Sequence, residues 1–510
     1  MADTRGDRSR NDGPVLAIEQ SSTYTKAVIF SRDRRVLAVA TDDLPLLHPA
    51  PGWEVQDPEE IWTSVLASCR MALLRANLQP GALSAIAIAA ERSAVILWDR
   101  GTGQALCPAI TANDRRTAAR CRALRDAGIG KLVRDRTGLP LTHAFSATKL
   151  SWMLDNVSGA RDLAVEGRVA FGTVDTFLLW RLTQGRMHAT DATQASQTLL
   201  FDIRRQRWDD DLLRVFEVPP SILPRVHDSA SYFGAADVSV LGGKGTVPVR
   251  GMIGIEQASL VGQACFAPGA ANVVYDRGCN ALLNVGQAMV GAAEGLVTTV
   301  GFRLDVGTTY FLEGRSESIA DGPRWFSEGL GGTREVRAAE DLARQSDPVA
   351  NVYWVPASLG DAPLYRVGPG RGTIVGIDTH TGHREFARAV LESVAYQTRD
   401  IFQAMAPRWA AGSAANPVRV MGEASLSDWT MQFLADILGQ PVERGAIADP
   451  AAYGAAWLAA SGAGLWPATE GFAREWAVER RFEPSIDGDR REAKYEGWRD
   501  ALRRSLGASS

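Results

Sequence analysis

The chain has 510 residues, 45% hydrophobic and 22% charged, which is too long for a single core and ordinary for a soluble enzyme of two large domains. A formal net charge of -4 gives no electrostatic reason to bind nucleic acid or an anionic membrane, and no apolar run approaches the ~20 residues that span a bilayer. Five cysteines, Cys69, Cys107, Cys121, Cys265 and Cys279, include no C-x-x-C pair, which argues against zinc and a disulfide framework and for reduced thiols in the cytoplasm.

Residues 1–13 are polar and charged without an apolar segment, and read as a flexible leader rather than a secretory signal. Val15-Leu-Ala-Ile18, Ala27-Val-Ile-Phe30 and Val36-Leu-Ala-Val39 then read as consecutive antiparallel strands, the last two joined by the turn-rich 31–35. Asp57-Pro58-Glu59-Glu60 supplies an N-cap, a proline at the first helical position and two acids at the positive helix end. Ile61, Val65, Cys69 and Leu73 follow as one helical stripe, and 85–88 and 94–97 return to strand. The order recurs in the second half. Residues 271–275 and 281–284 form a hairpin pattern, Phe386, Val390, Val394 and Ile401 share one helical face, and Trp429, Phe433 and Ile437 share another. Strands followed by helices, twice over, predict two duplicated α/β domains, at 14–255 and 256–506.

Standard catalytic strings are absent: there is no G-x-x-x-x-G-K-[ST], G-x-S-x-G, H-E-x-x-H or post-strand G-x-G-x-x-G. His380 and His383 have no carboxylate partner at metal-binding spacing, so no metal site is expected.

Longer stretches carry a resemblance. They include Pro51-Gly-Trp53, Asp114-Arg-Arg-Thr-Ala118, Phe145-Ser-Ala-Thr-Lys149 with Trp152, Phe171-Gly-Thr-Val-Asp-Thr176, Leu391-Glu-Ser-Val-Ala-Tyr-Gln-Thr-Arg-Asp400, Met431-Gln-Phe433 and Gly454-Ala-Ala456. In order and spacing they resemble the glycerol kinases of the FGGY carbohydrate kinase family, from about Val15 to Leu502. The resemblance implies an α/β fold of two ribonuclease H-like domains of the actin-like ATPase superfamily, flanking a central cleft. It also implies a homo-oligomer.

The functional positions depart from the family pattern. The first phosphate hairpin, Asp-Gln-Gly-Thr-Thr in the family, reads Glu19-Gln20-Ser21-Ser22-Thr23, and the second, Gly-Thr-Gly-Cys, reads Asp276-Arg277-Gly278-Cys279. Asp-Gly-Gly-Ala at the nucleotide becomes Met421-Gly422-Glu423-Ala424, placing bulk and negative charge where backbone approaches the ligand. The catalytic aspartate of Gly-Asp-Gln-Gln is Ile255 in Gly254-Ile255-Glu256-Gln257, and neighbours on a strand face opposite ways, so Glu256 is expected to point elsewhere. The polyol-holding Arg-Glu pair is Arg92-Ser93, and two pocket aromatics are Ala112 and Ala144.

These changes lead to the expectation of lost glycerol kinase activity, weak or lost ATP and Mg binding, and no other cofactor. The cleft would instead run acid–base chemistry on a small polar metabolite through Glu19, Arg92, Glu256, Asp276 and Arg277, with Ser22, Thr23, Ser93, Asp114, Glu313 and Glu423 as substrate contacts. Two alternatives stand beside it: a non-catalytic pseudokinase that binds a metabolite or protein partner, and a residual carbohydrate kinase with a relocated base and an altered substrate.

Overall fold

The computed structural model describes residues 13–505 apart from 276–277, 317, 320–321, 323–324, 330, 332–335, 348, 358–363, 366–371 and 409–415. The chain forms two compact units. The first comprises Met1–Ala264, Thr299–Tyr310 and Asp449–Glu475, and the second Cys265–Thr298, Phe311–Ala448 and Trp476–Ser510.

The first unit is built on a six-stranded sheet in the order Gly234–Asp237, Thr246–Gly254, Ala85–Ala90, Val15–Gln20, Tyr24–Phe30 and Val36–Asp43. The last three are the antiparallel run read from the sequence. Strand Val15–Gln20 also pairs in parallel with Ala85–Ala90, which pairs in parallel with Thr246–Gly254. Strands covered on both faces carry unbroken apolar runs, and every residue of Val15–Gln20 and Ala85–Ala90 is buried. Helix Pro58–Arg75 starts as its caps require, with the Asp57 carboxylate accepting the Glu59 N–H at 2.9 Å, and its stripe Ile61, Val65, Cys69 and Leu73 is buried.

Helix Ile255–Gly262 leaves the sheet directly after Thr246–Gly254 and packs against helix Pro450–Ser461. Backbones touch there. A Cβ on Gly262 would stand 1.9 Å from the Pro450 carbonyl oxygen, and one on Gly454 would stand 2.0 Å from that of Ala258. Glycine at both positions is what lets the two helices approach so closely.

The second unit repeats the scheme. Ala271–Tyr275 pairs antiparallel with Cys279–Gly286 and in parallel with Val418–Gly422, which continues in parallel to Val442–Gly445 and then to the antiparallel edge strand Val478–Phe482. Helices His383–Met405 and Asp428–Leu438 pack together, burying Val390, Val394, Ile401, Phe433 and Ile437. Among the described residues no helix is long and apolar enough to cross a membrane.

Candidate active site

In the first unit Gln20, Ala90 and Gly254 stand in one row across the three parallel strands. Loops leaving the carboxyl ends of such strands are where open α/β sheets bind ligands. Glu19 sits one residue before this row, while Arg92 and Glu256 sit two residues beyond it, so the register gathers three sequence-predicted residues at one edge.

Glu19 is buried. Its Oε1 accepts the Tyr24 hydroxyl at 2.6 Å and faces Lys26 Nζ at 3.5 Å, while Lys26 makes a 2.7 Å ion pair with Asp449. Glu19 Oε2 is buried without a hydrogen-bond donor among the described residues. Burial, reinforced by the Asp449 carboxylate and opposed by Lys26 and Tyr24, pushes the Glu19 carboxyl up to about 8. A divalent cation suits this donor set: an oxygen lacking a partner beside a second carboxylate matches Mg, which takes one or two protein carboxylates and fills its shell with water and phosphate. Lys26 and Asp449 were not singled out from the sequence. Asp449-Pro450 is a helix-start signal, and Asp449 does cap its helix, accepting the Ala452 N–H at 3.1 Å.

Arg92 and Glu256 form an ion pair, Nε to Oε2, at 2.8 Å, with Arg92 nearly inaccessible and Glu256 one quarter exposed. The strand expected to continue through 255–256 ends at Gly254, and Glu256 lies in the first turn of helix Ile255–Gly262. Strand alternation therefore does not apply, and the helical turn swings Glu256 toward Arg92. Glu91, also missed, turns back so that its carboxylate accepts the N–H groups of Ser93 at 3.2 Å and Ala94 at 3.0 Å. Burial, with Glu256 adding to it, raises the Glu91 carboxyl, against the lowering effect of those N–H groups and Lys149. Lys149 is fully buried and donates to the carbonyls of Ala144 at 2.8 Å and Ser93 at 3.2 Å. Burial brings its ammonium down to about 7, despite Glu91 and Asp114. Ser93 and half-buried Ala144 are thus tied to one amine.

The turn after Glu19 is closed by a 2.9 Å bond from Ser21 N–H to the Tyr24 carbonyl, and Gln56 holds the Ser22 carbonyl at 2.7 Å. None of Ser21, Ser22 and Thr23 has positive φ, so serine replaces glycine there without backbone strain. Asp114 is fully buried. Both its oxygens are taken by Arg116 and by the N–H groups of Glu54 and Arg116, and these bonds outweigh burial to hold its carboxyl below the usual range. They fix the Arg116 guanidinium 3.7 Å from the Trp53 ring and 4.5 Å from the Trp152 ring.

In the second unit Glu313 is buried and ion-paired to Arg315 at 2.7 Å, and Glu423 is exposed at the start of the short turn Glu423–Leu426. Asp276 and Arg277 lie outside the described residues.

The chain belongs to the FGGY family of carbohydrate kinases. Residues 14–262 match the family's N-terminal domain and 271–463 its C-terminal domain. It is 45% identical over 497 residues to a glycerol kinase of Rhizobium rhizogenes, covering 97% of this chain and 99% of the relative. It is 46% identical over 494 residues to one of Methylobacterium nodulans, covering 97% and 98%. Among solved structures, the Plasmodium falciparum glycerol kinase with ADP superposes with a TM-score of 0.91 at 26% identity, covering 97% of this chain and 98% of that one. The fold extends to a Lactobacillus acidophilus gluconate kinase, TM-score 0.85 at 18% identity over 97% and 98%.

These findings correct two expectations. Full-length identity to glycerol kinases overturns the loss of glycerol kinase activity and the reassignment of the site to non-phosphoryl chemistry, and gives the pseudokinase reading no support. The same relatives and the match to an ADP-bound kinase overturn the expected weak or lost ATP and Mg binding. The physical reasons are local. The serine turn is unstrained, the carboxylate at 256 faces the arginine, and Glu423 is exposed to solvent.

Proposed function

We propose that this chain is an ATP-dependent kinase of small polyols, with glycerol the first acceptor to test. The observation that carries the reading is the 2.8 Å Arg92–Glu256 contact at the carboxyl ends of the parallel strands. An acceptor hydroxyl there attacks the γ-phosphorus of ATP, the bond to the ADP oxygen breaks, and the hydroxyl proton passes to Glu256, which does the work that an aspartate one residue earlier does in the family pattern. Arg92 orients the acceptor and steadies the Glu256 carboxylate. Glu19 and Asp449 would hold Mg, whose charge offsets that of the phosphates. Alanine at 112 and 144 in place of aromatic walls admits polyols longer than glycerol. Free thiols and ATP use suit a cytoplasmic enzyme.

The test is a coupled ADP-release assay with glycerol and four- to six-carbon polyols. At least one acceptor turns over, and Glu256→Gln lowers kcat by about 10²–10⁴-fold, the usual contribution of general-base help. Absence of turnover with every acceptor at high enzyme concentration, or full activity in Glu256→Gln, overturns the reading.

A further inference from the structure

The second unit carries a basic recess whose lining includes none of the candidate-site residues named above. It lies among helices His383–Met405, Asp428–Leu438 and Gly488–Ser505 and the edge strand Val478–Phe482, and has a volume of about 310 Å³. One wall is aromatic: Trp429 and Phe433, one turn apart on their helix, stack with ring centroids 5.7 Å apart and planes 13° apart. Lys494, its side chain 10% exposed, reaches over the Phe433 ring at 5.8 Å.

The charges around this recess do not balance. Glu392 is shared by two cations, Arg388 at 2.7 Å and Lys494 at 3.7 Å. Asp428 lies between Arg444 and Arg480, and Asp436 is occupied by the Ser485 N–H at 2.6 Å and hydroxyl at 2.9 Å. At the rim, the exposed Arg490 guanidinium has no hydrogen bond or ion pair among the described residues. Burial first, then Arg388 and Arg490, hold the Lys494 ammonium below its ordinary value in spite of Glu392. Cations gathered beside a flat aromatic wall, in a recess at the small end of ligand-pocket sizes, favour an anion that carries a planar body.

We propose that this recess is a second ligand site, which takes a small phosphate-bearing metabolite with its phosphate among Arg388, Arg490 and Lys494 and its ring on Trp429. The recess is too small for a nucleoside triphosphate, and the site is independent of the polyol kinase reading.

Calorimetry on the full chain with phenyl phosphate and with inorganic phosphate, each with and without saturating ADP–Mg, tests this. Phenyl phosphate binds saturably, more tightly than inorganic phosphate, and is not displaced by ADP–Mg. Arg490→Glu, an exposed change that leaves the melting temperature in place, weakens both probes at least tenfold. Trp429→Ala weakens phenyl phosphate and leaves inorganic phosphate unchanged. No saturable binding of either probe, unchanged affinity in Arg490→Glu, or displacement by ADP–Mg overturns the proposal.

Discussion

Glu91 and Lys149 hold residue Ser93 from both sides: the Glu91 carboxylate accepts the Ser93 N–H at 3.2 Å, and Lys149 Nζ donates to the Ser93 carbonyl at 3.2 Å. Arg92, one residue away, owes its position to this grip. Lys149→Met removes the donor from two carbonyls and leaves Glu91 without its cation. We expect a loss of about 2 kcal/mol in urea unfolding, the scale seen when buried acceptors are left without their donor. The double variant Glu91→Gln/Lys149→Met should cost less than the sum of the singles, because it leaves no uncompensated charge. Additive losses would show that the two residues do not act together.

The placement of the carboxylate at 256 instead of 255 gives a second prediction. If Glu256 is the base, Ile255→Asp in the otherwise native chain raises kcat by less than about tenfold, since general-base help is already present. In the Glu256→Gln background the same substitution should recover at least about tenfold, by supplying a carboxylate on the same helical turn. Steady-state kinetics on the three variants check this, and an Ile255→Asp enzyme far faster than the parent would show that Glu256 is not the base.

Gly422 has φ +91°, and a Cβ there would stand 1.9 Å from the Tyr275 carbonyl oxygen, its partner in the parallel register. Gly422→Ala therefore meets both backbone strain and a collision with main chain that cannot turn aside. We expect at least about 3 kcal/mol of destabilisation, as for other strained or overpacked sites. Measured unfolding within about 0.5 kcal/mol of the parent would contradict this, since that is the range of an ordinary surface change.

Much of the fold was legible because its signals are local. Unbroken apolar runs at Val15–Ile18 and Ala85–Ile88 mark two of the strands, and Asp57-Pro58 marks the start of a helix. The direction in which the candidate site residues point was not legible in the sequence. Helix Ile255–Gly262 begins at Gly254 with no side-chain cap, so nothing in the sequence announced that strand alternation ends before Glu256. Lys26 and Asp449 are 423 positions apart, and no periodicity links them. Glu91 carries no sequence signal of its own, because its carboxylate folds back on the Ser93 and Ala94 N–H groups only in the folded turn.

The last prediction concerns Asp175, fully buried in helix Val174–Leu182 and bonded by the hydroxyls of Thr173 and Thr190. Burial raises its carboxyl from 3.8 to about 7, against those two hydroxyls and with a further upward push from Asp191. A carboxyl raised in the folded state holds its proton there while the unfolded chain has released it. The stability it contributes is thus complete below the unfolded value near 3.8 and is lost as pH climbs through about 7. A rise of this size corresponds to about 4 kcal/mol over the whole range, of which about 2.5 kcal/mol falls between pH 5 and pH 8. Asp175→Asn keeps the shape, cannot ionise and offers an amide to the same threonines. Its unfolding free energy, measured by urea at each pH, should gain on the parent by about 2.5 kcal/mol between pH 5 and pH 8. Parallel pH profiles for the two proteins would mean that Asp175 is already ionised in the folded chain and that Thr173 and Thr190 stabilise the carboxylate more than burial opposes it.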